Sequence, residues 1–251
     1  MEVNGHFIGP GIDLSDANLD GRELHGANLS GSTLAGASLV HARLSEADLT
    51  GVNLARANLR YAALFEAQLV TADLREADLS YADLRGADLS DTDLRGAVVH
   101  RTDLFEARLL GSNLSGVDLR NAYLHWTKFW DADMRGCDLS GANAQKVSMV
   151  EANLVGANLS GAILYWSSFR FADASYADMS HADLHRANFE RTNLRGAVLE
   201  GADLTRSHFW ETDLAGANLR GAILRGAELL RTDLGAADLG GAIMPDGSVH
   251  D

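Results

Sequence analysis

His181 and His185, four apart in "HADLH", have the spacing that on a helix would put two imidazoles on one face to share a metal ion. Asp91 with Asp93 in "DTDL", and Asp131 with Asp133 in "DADM", are carboxylate pairs of the kind that hydrolyse bonds when a cleft holds the substrate and shifts one of the two pKa values. Cys137 is the single cysteine, so it forms no intramolecular disulfide and is a nucleophile only if its surroundings favour the thiolate. Each chemistry depends on the element that carries the residues.

Those elements follow a period of five. Residues 72 to 90 read "ADLREADLSYADLRGADLS", centred on Leu74, Leu79, Leu84 and Leu89. Centres continue every fifth position from 14 to 244, giving 47 units in one register, 36 of them Leu and none polar. Two residues before each centre the chain carries Ala in 31 units, and Arg22 is the only charged occupant. The remaining positions hold most of the Asp, Asn, Arg, Glu and Gly. Such a pattern fits neither the 3.6 period of a helix nor the alternation of a strand. Inward steps of two and three alternate, so the chain is extended, bends once per unit and winds a solenoid whose coils pair about 4.8 Å apart. Periodicity alone leaves the number of sides per coil open.

Without a helix the histidine pair is split by a bend, and no metal or cofactor is expected. The Asp pairs read as hydrated carboxylates bonding the next turn, because a convex solenoid offers no evident cleft. Cys137 occupies the small inward slot and reads as structural. The glycines read as turn formers, since no helix follows them to make a phosphate loop. No catalytic residue is expected.

Net charge is −14 with only 21 Lys and Arg against 35 Asp and Glu, which argues against binding nucleic acid or an anionic membrane. No stretch reaches about 18 apolar residues, and the start "MEVNGHFIGPG" lacks the pattern of a secretory leader. The expectation is a cytoplasmic protein.

The phrase A-D/N-L-x-x, sustained over residues 12 to 244, resembles the pentapeptide-repeat family. That resemblance implies an all-β fold, a right-handed quadrilateral β-helix with four units per coil. For 47 units this means about twelve coils and a rod of roughly 55–60 Å at the β spacing. The ending "GAIMPDGSVHD" is similar to that of cyanobacterial members, including a heterocyst-differentiation regulator. Residues 1–11 are read as an N-terminal cap with Phe7 and Ile8 covering the first coil, 12–246 as one uninterrupted β-helix, and 247–251 as a tail. There "PDGSVHD" supplies a turn and Val249 a thin cover. A monomer or a weak end-to-end dimer is expected.

Sorting residues 20 apart into columns places Phe129, Phe169, Phe189 and Phe209 on one wall of the core, with Ala174 compensating nearby. The same sorting stacks Asp and Asn before the centres into ladders, offset by arginines such as Arg75, Arg95, Arg135 and Arg195. A non-catalytic protein-interaction scaffold is the resulting reading, with an unidentified protein partner. The alternative comes from the branch of the family linked to quinolone resistance, which is proposed to imitate DNA and bind type II topoisomerases. Net −14 suits it, but the acidic excess is spread over all four faces.

Two neighbouring faces collect outward aromatics. Phe65, Phe105, Tyr123 and Tyr165 lie on the first with Ile163. Trp126 and Trp166 lie at the shared corner, and Trp130 and Trp210 on the second face with Val70, Leu110, Val150 and Leu230. The opposite faces read as mainly Asp, Asn, Ser and Arg. Exposed apolar groups gathered this way mark a contact surface, unless the rings merely stack on neighbouring coils. Arg108, Lys128, Arg170, Arg186 and Arg206 border them, which suits a partner with an apolar centre and an acidic rim.

Overall fold

The computed structural model describes residues 2–3 and 6–251, with side chains from Ile8 onward, and contains no helix among them. Each repeat is built by the same bonds. The centre's carbonyl accepts the N–H three residues on, as in Ala17 N–H to Leu14 O at 3.1 Å, which closes a β-turn over the two residues between. The second of these has positive φ: 63° at Gly21, but also 60° at Glu46 and 58° at Thr71. The residue before the centre caps the turn, its side-chain oxygen accepting the N–H two residues on, as in Asp13 with Ser15 (2.9 Å) and Asn53 with Ala55 (3.0 Å). Asp and Asn suit this slot because their short side chains reach their own backbone two residues ahead.

Repeats then pair with the repeat 20 residues away. Asp13 bridges Thr33 in parallel, Thr33 bridges Asn53, and Asn53 bridges Asp73. The period of 20 fixes four repeats per coil. Leu centres and the small residues before them point inward: Leu19, Leu24 and Leu29 are fully buried, as are Ala37, Ala42 and Ala47. Where Thr or Ser replaces Ala, its hydroxyl donates either to a carbonyl of the preceding coil, as in Thr102 to Leu79 O (2.8 Å) and Thr192 to Phe169 O (2.6 Å), or to the carbonyl three residues back, as in Thr92 to Leu89 O (2.7 Å). A polar atom is thereby buried without an unmet hydrogen bond. Arg22, in the same slot, is exposed instead.

Contacts divide the chain into two compact units, Met1–Lys128 and Phe129–Asp251. In the first, β1 (Glu2–Val3) pairs antiparallel with β2 (His6–Phe7) before the repeats begin. Ile8 is buried, while the Phe7 side chain lies outside the described residues. The ladder of this unit is continuous apart from one place. The N–H groups of Gly96, Val99, Arg101 and Asp118 do not bond the carbonyls of Ser115, Asp118, Arg120 and Ala97 that the repeat would offer among the described residues. A cavity of about 200 Å³ opens there, lined by Val98, Val99, His100, Asp118 and Asn121. Rungs on the adjoining faces, Leu94 to Asn113 (2.8 Å) and Leu104 to Tyr123 (2.9 Å), are intact.

In the second unit the ring wall forms as expected. Phe169, Phe189 and Phe209 are fully buried and stack with centroids 5.0 Å apart, the coil spacing itself, and Ala174 is buried beside them. Pairing lengthens into strands only at β3 (His208–Trp210) and β4 (Glu228–Leu230), which run parallel. Near residue 236 the pattern shifts by one, with Gly216 N–H reaching Ala236 O at 2.8 Å. The tail folds back antiparallel, Val249 bridging Ile243, and His250 N–H donating to Ala242 O at 2.9 Å. Val249 is 66% exposed, so this return is held by backbone bonds and Val249 is no apolar lid, contrary to expectation.

Candidate interaction surface

The turns decide which side chains face outward. A residue with positive φ at the corner projects from the coil, and its N–H is tied to the next coil, as in Trp166 N–H to His185 O (3.1 Å). Bulky residues stand in this left-handed conformation at Tyr61, Tyr81, Trp126, Trp166, Phe171 and Tyr176. Left-handed backbone costs an L-residue on the order of 1–2 kcal/mol, which the inter-coil bond and the turn offset.

In the first unit, Phe65, Phe105, Tyr123 and Trp126 are exposed, Tyr123 to 55%, whereas Leu110 is half-buried. Phe105 stacks on His125 at 5.9 Å, and Arg85 lies over Phe65 at 5.7 Å. Arg108, at the border, pairs with Asp88 at 3.4 Å. In the second unit Trp130, Trp166 and Trp210 are exposed, and Tyr165 is half-buried, stacked on His185 at 4.9 Å with its hydroxyl bonded to Gln145. Trp130 Nε1 donates to Ser148 Oγ at 2.6 Å, and Arg186 covers one face of Trp166 at 4.6 Å. Both readings of the aromatics therefore have a physical footing: Phe105 and Tyr165 stack on histidines of the next coil, yet Phe65, Phe105, Tyr123 and the four tryptophans stay exposed.

Another stack escaped the sequence reading. His41, Tyr61 and Tyr81 pile up at 4.9 Å intervals on a corner of the first unit expected to be polar, and His100 meets Tyr81 edge-on at 5.5 Å. Arg60 lies within 5.6 Å of the Tyr61 ring and 5.9 Å of the Tyr81 ring. The spacing of 20 between His41, Tyr61 and Tyr81 was the signal. Tyr176, 70% exposed on a face of the second unit expected to be polar, stands between Gly156 and Gly196 in its column.

Of the candidate catalytic groups, His185, Asp93 and Asp133 are engaged in structure. His185 Nδ1 lies 2.7 Å from Asp183 Oδ1, and Asp93 is gripped by Arg95 through Oδ1 and Oδ2 at 2.9 and 2.6 Å. Arg75 holds Asp73 in the same way. These guanidinium hydrogen bonds keep both carboxyls below the usual carboxylate range. Cys137 is buried.

Repeats of five that pair at 20 are the mark of one family, and the Pentapeptide repeats model matches residues 12–51, 53–91, 82–121, 122–161, 162–201 and 202–241. The chain belongs to the pentapeptide-repeat family. The chain is 34% identical to HetL, a pentapeptide-repeat protein involved in heterocyst differentiation regulation from the cyanobacterium Nostoc sp. strain PCC 7120. The match covers 96% of this chain and 92% of HetL, with a TM-score of 0.26. Rfr23, a pentapeptide-repeat protein from the cyanobacterium Cyanothece 51142, is 26% identical over 57% of this chain and 91% of its own, with a TM-score of 0.27. QnrB1, a plasmid-mediated fluoroquinolone resistance protein, is 20% identical over 85% of this chain and 88% of its own, with a TM-score of 0.38. Among proteins of curated function none matches the chain.

Proposed function

We propose that this pentapeptide-repeat protein is a non-catalytic scaffold that binds a protein partner through its outward aromatics. The right hand and the twelve or so coils are part of the same proposal, resting on the family resemblance and on 47 repeats at four per coil. The observation that carries the reading is the exposure of rings that a purely structural stack would cover: Trp166 is 52% and Tyr123 55% exposed. Large apolar surfaces left in water are the usual substance of binding hot spots. Phe65, Phe105, Tyr123 and Trp126 are the contact residues of the first unit, with Leu110 at their margin. Trp130, Tyr165, Trp166 and Trp210 are those of the second.

A second reading, imitation of DNA to occupy a type II topoisomerase, draws on the net charge of −14. It is weakened by the arginines clamped on the carboxylate ladder, as at Asp73 and Asp93, which cancel charge where a DNA mimic needs it. Affinity capture from the native extract with quantitative mass spectrometry tests the first reading. The wild-type protein retains a partner that Trp130→Ser/Trp210→Ser loses while keeping its circular dichroism spectrum. Retention of the same partner by the folded double variant refutes it. Inhibition of a purified topoisomerase in a supercoiling assay would favour the second.

A further inference from the structure

Arginines in the second unit fall into two groups. Arg135 pairs with Asp133, Arg170 with Glu190, Arg191 and Arg231 with Glu211, Arg195 with Asp213, and Arg220 with Asp238. Arg186, Arg206 and Arg225 have no carboxylate within 4.0 Å among the described residues, and all three line one groove of about 580 Å³ beside Trp166, His185 and Pro245. Local sequence explains why they are left over. Arg135 is held by Asp133 two residues before it, so one repeat supplies both partners, whereas the other paired arginines reach an acidic residue of a neighbouring coil, as Arg170 reaches Glu190 and Arg195 reaches Asp213. Arg225 has Ile223 two residues before it and Thr205, Ile243 and Pro245 at the stacked positions, none of them acidic. Arg186 and Arg206 stand at the corner position of positive φ, one coil apart, where the side chain projects from the coil. Arg186 lies flat on Trp166, and Arg206 reaches over Gly226, where no side chain fills the next corner.

Unpaired guanidiniums held at the coil spacing beside an exposed indole are a recognition surface for carboxylates carried on an apolar strip. We propose that this groove docks an acidic segment of a partner protein, its carboxylates on Arg186, Arg206 and Arg225 and an apolar side chain against Trp166. Charge selects among polyanions. A chain of net −14 repels nucleic acid, which brings a charge every few ångströms, far more than a short peptide with a few carboxylates. Asp203, on the groove wall, sharpens that choice by opposing a dense anion. The inference rests on reading the second unit as a protein-binding surface, but its test does not use the unidentified partner.

Fluorescence anisotropy of the full chain with a fluorescein-labelled peptide that alternates glutamate with leucine reads the docking directly. Wild-type protein binds this peptide and not its lysine–leucine counterpart, and binding weakens steeply as salt rises. Arg186→Gln/Arg206→Gln/Arg225→Gln weakens binding about tenfold or more, whereas Arg135→Gln, which removes a paired arginine, leaves it unchanged. Ile223→Asp keeps every arginine but gives Arg225 a carboxylate in its own repeat, and it weakens binding severalfold. The proposal is overturned by absence of binding to wild type, by equal losses in the Arg135→Gln control, or by undiminished binding in the triple variant. It is equally overturned if a short DNA duplex binds more tightly than the peptide, or if the arginines prove to mediate self-association in light scattering. Failure here with loss of the natural partner in the double Trp variant leaves the scaffold reading intact, and the reverse outcome separates the two in the other direction.

Discussion

At the scale of the residue, the fold depends on three slots: a large apolar centre, a small residue before it, and an Asx cap between them. The centres were plain in the sequence because Leu recurs without a slip, and the structure buries Leu34 and Leu59 completely. Less legible was the corner. The sequence marks glycine as the turn former there, yet Glu46, Arg56 and Tyr61 hold the same positive φ. The inter-coil bond on each corner N–H, such as Glu46 to Phe65 O at 2.8 Å, fixes the conformation whatever the side chain. Gly31 isolates the backbone cost, since φ is 64° and an added Cβ meets nothing within 4 Å. Gly31→Ala is expected to lower stability by about 1 kcal/mol in urea melts. A larger loss would show that the space around this corner is tighter than the structure has it.

At the scale of the element, what matters is which rungs close. Sequence periodicity gave bends and coils, and the family resemblance, not the period of five, supplied the four sides. The opening between residues 96–101 and 115–120 had a faint signal in Val98–Val99, where β-branched residues replace the usual Asp-Leu or Asn-Leu. Intact rungs on both adjoining faces keep the coils too close for a strand to enter. The gap is therefore a local weakness. Amide hydrogen exchange at Val99, Arg101 and Asp118 should be far faster than at Leu59 or Leu64, whose N–H groups bond Asp78 and Asp83 carbonyls at 2.7 Å. Equal protection at both places would mean that the ladder closes in solution. The His41–Tyr61–Tyr81 stack was invisible to a reading face by face, because it is formed by a single column of corners.

At the scale of the whole molecule, acidity is both a solubility device and a pH-dependent load. Asp73 and Asp93 carry carboxyls held below their ordinary pKa, chiefly by hydrogen bonds from Arg75 and Arg95. A depressed folded-state pKa adds stability above the unfolded value, near pH 4, and that stability is lost as pH falls through the folded value. Melts are thus expected to weaken below about pH 4, and less so in Asp73→Asn/Asp93→Asn; an acid limb identical in this variant would assign the loss to other groups. The central claim is that outward aromatics are available for contact while inward ones hold the fold. Urea denaturation of Trp130→Ser/Trp210→Ser beside Phe189→Ala tests it most directly. Both tryptophans are over 40% exposed, and the one hydrogen bond at Trp130 Nε1 is worth about 1 kcal/mol. The expected loss is under about 2 kcal/mol for the double Trp variant, against about 3–5 kcal/mol for Phe189→Ala. A double Trp variant as damaged as Phe189→Ala would contradict it, showing that these rings are architecture and leaving the binding surface to be found elsewhere.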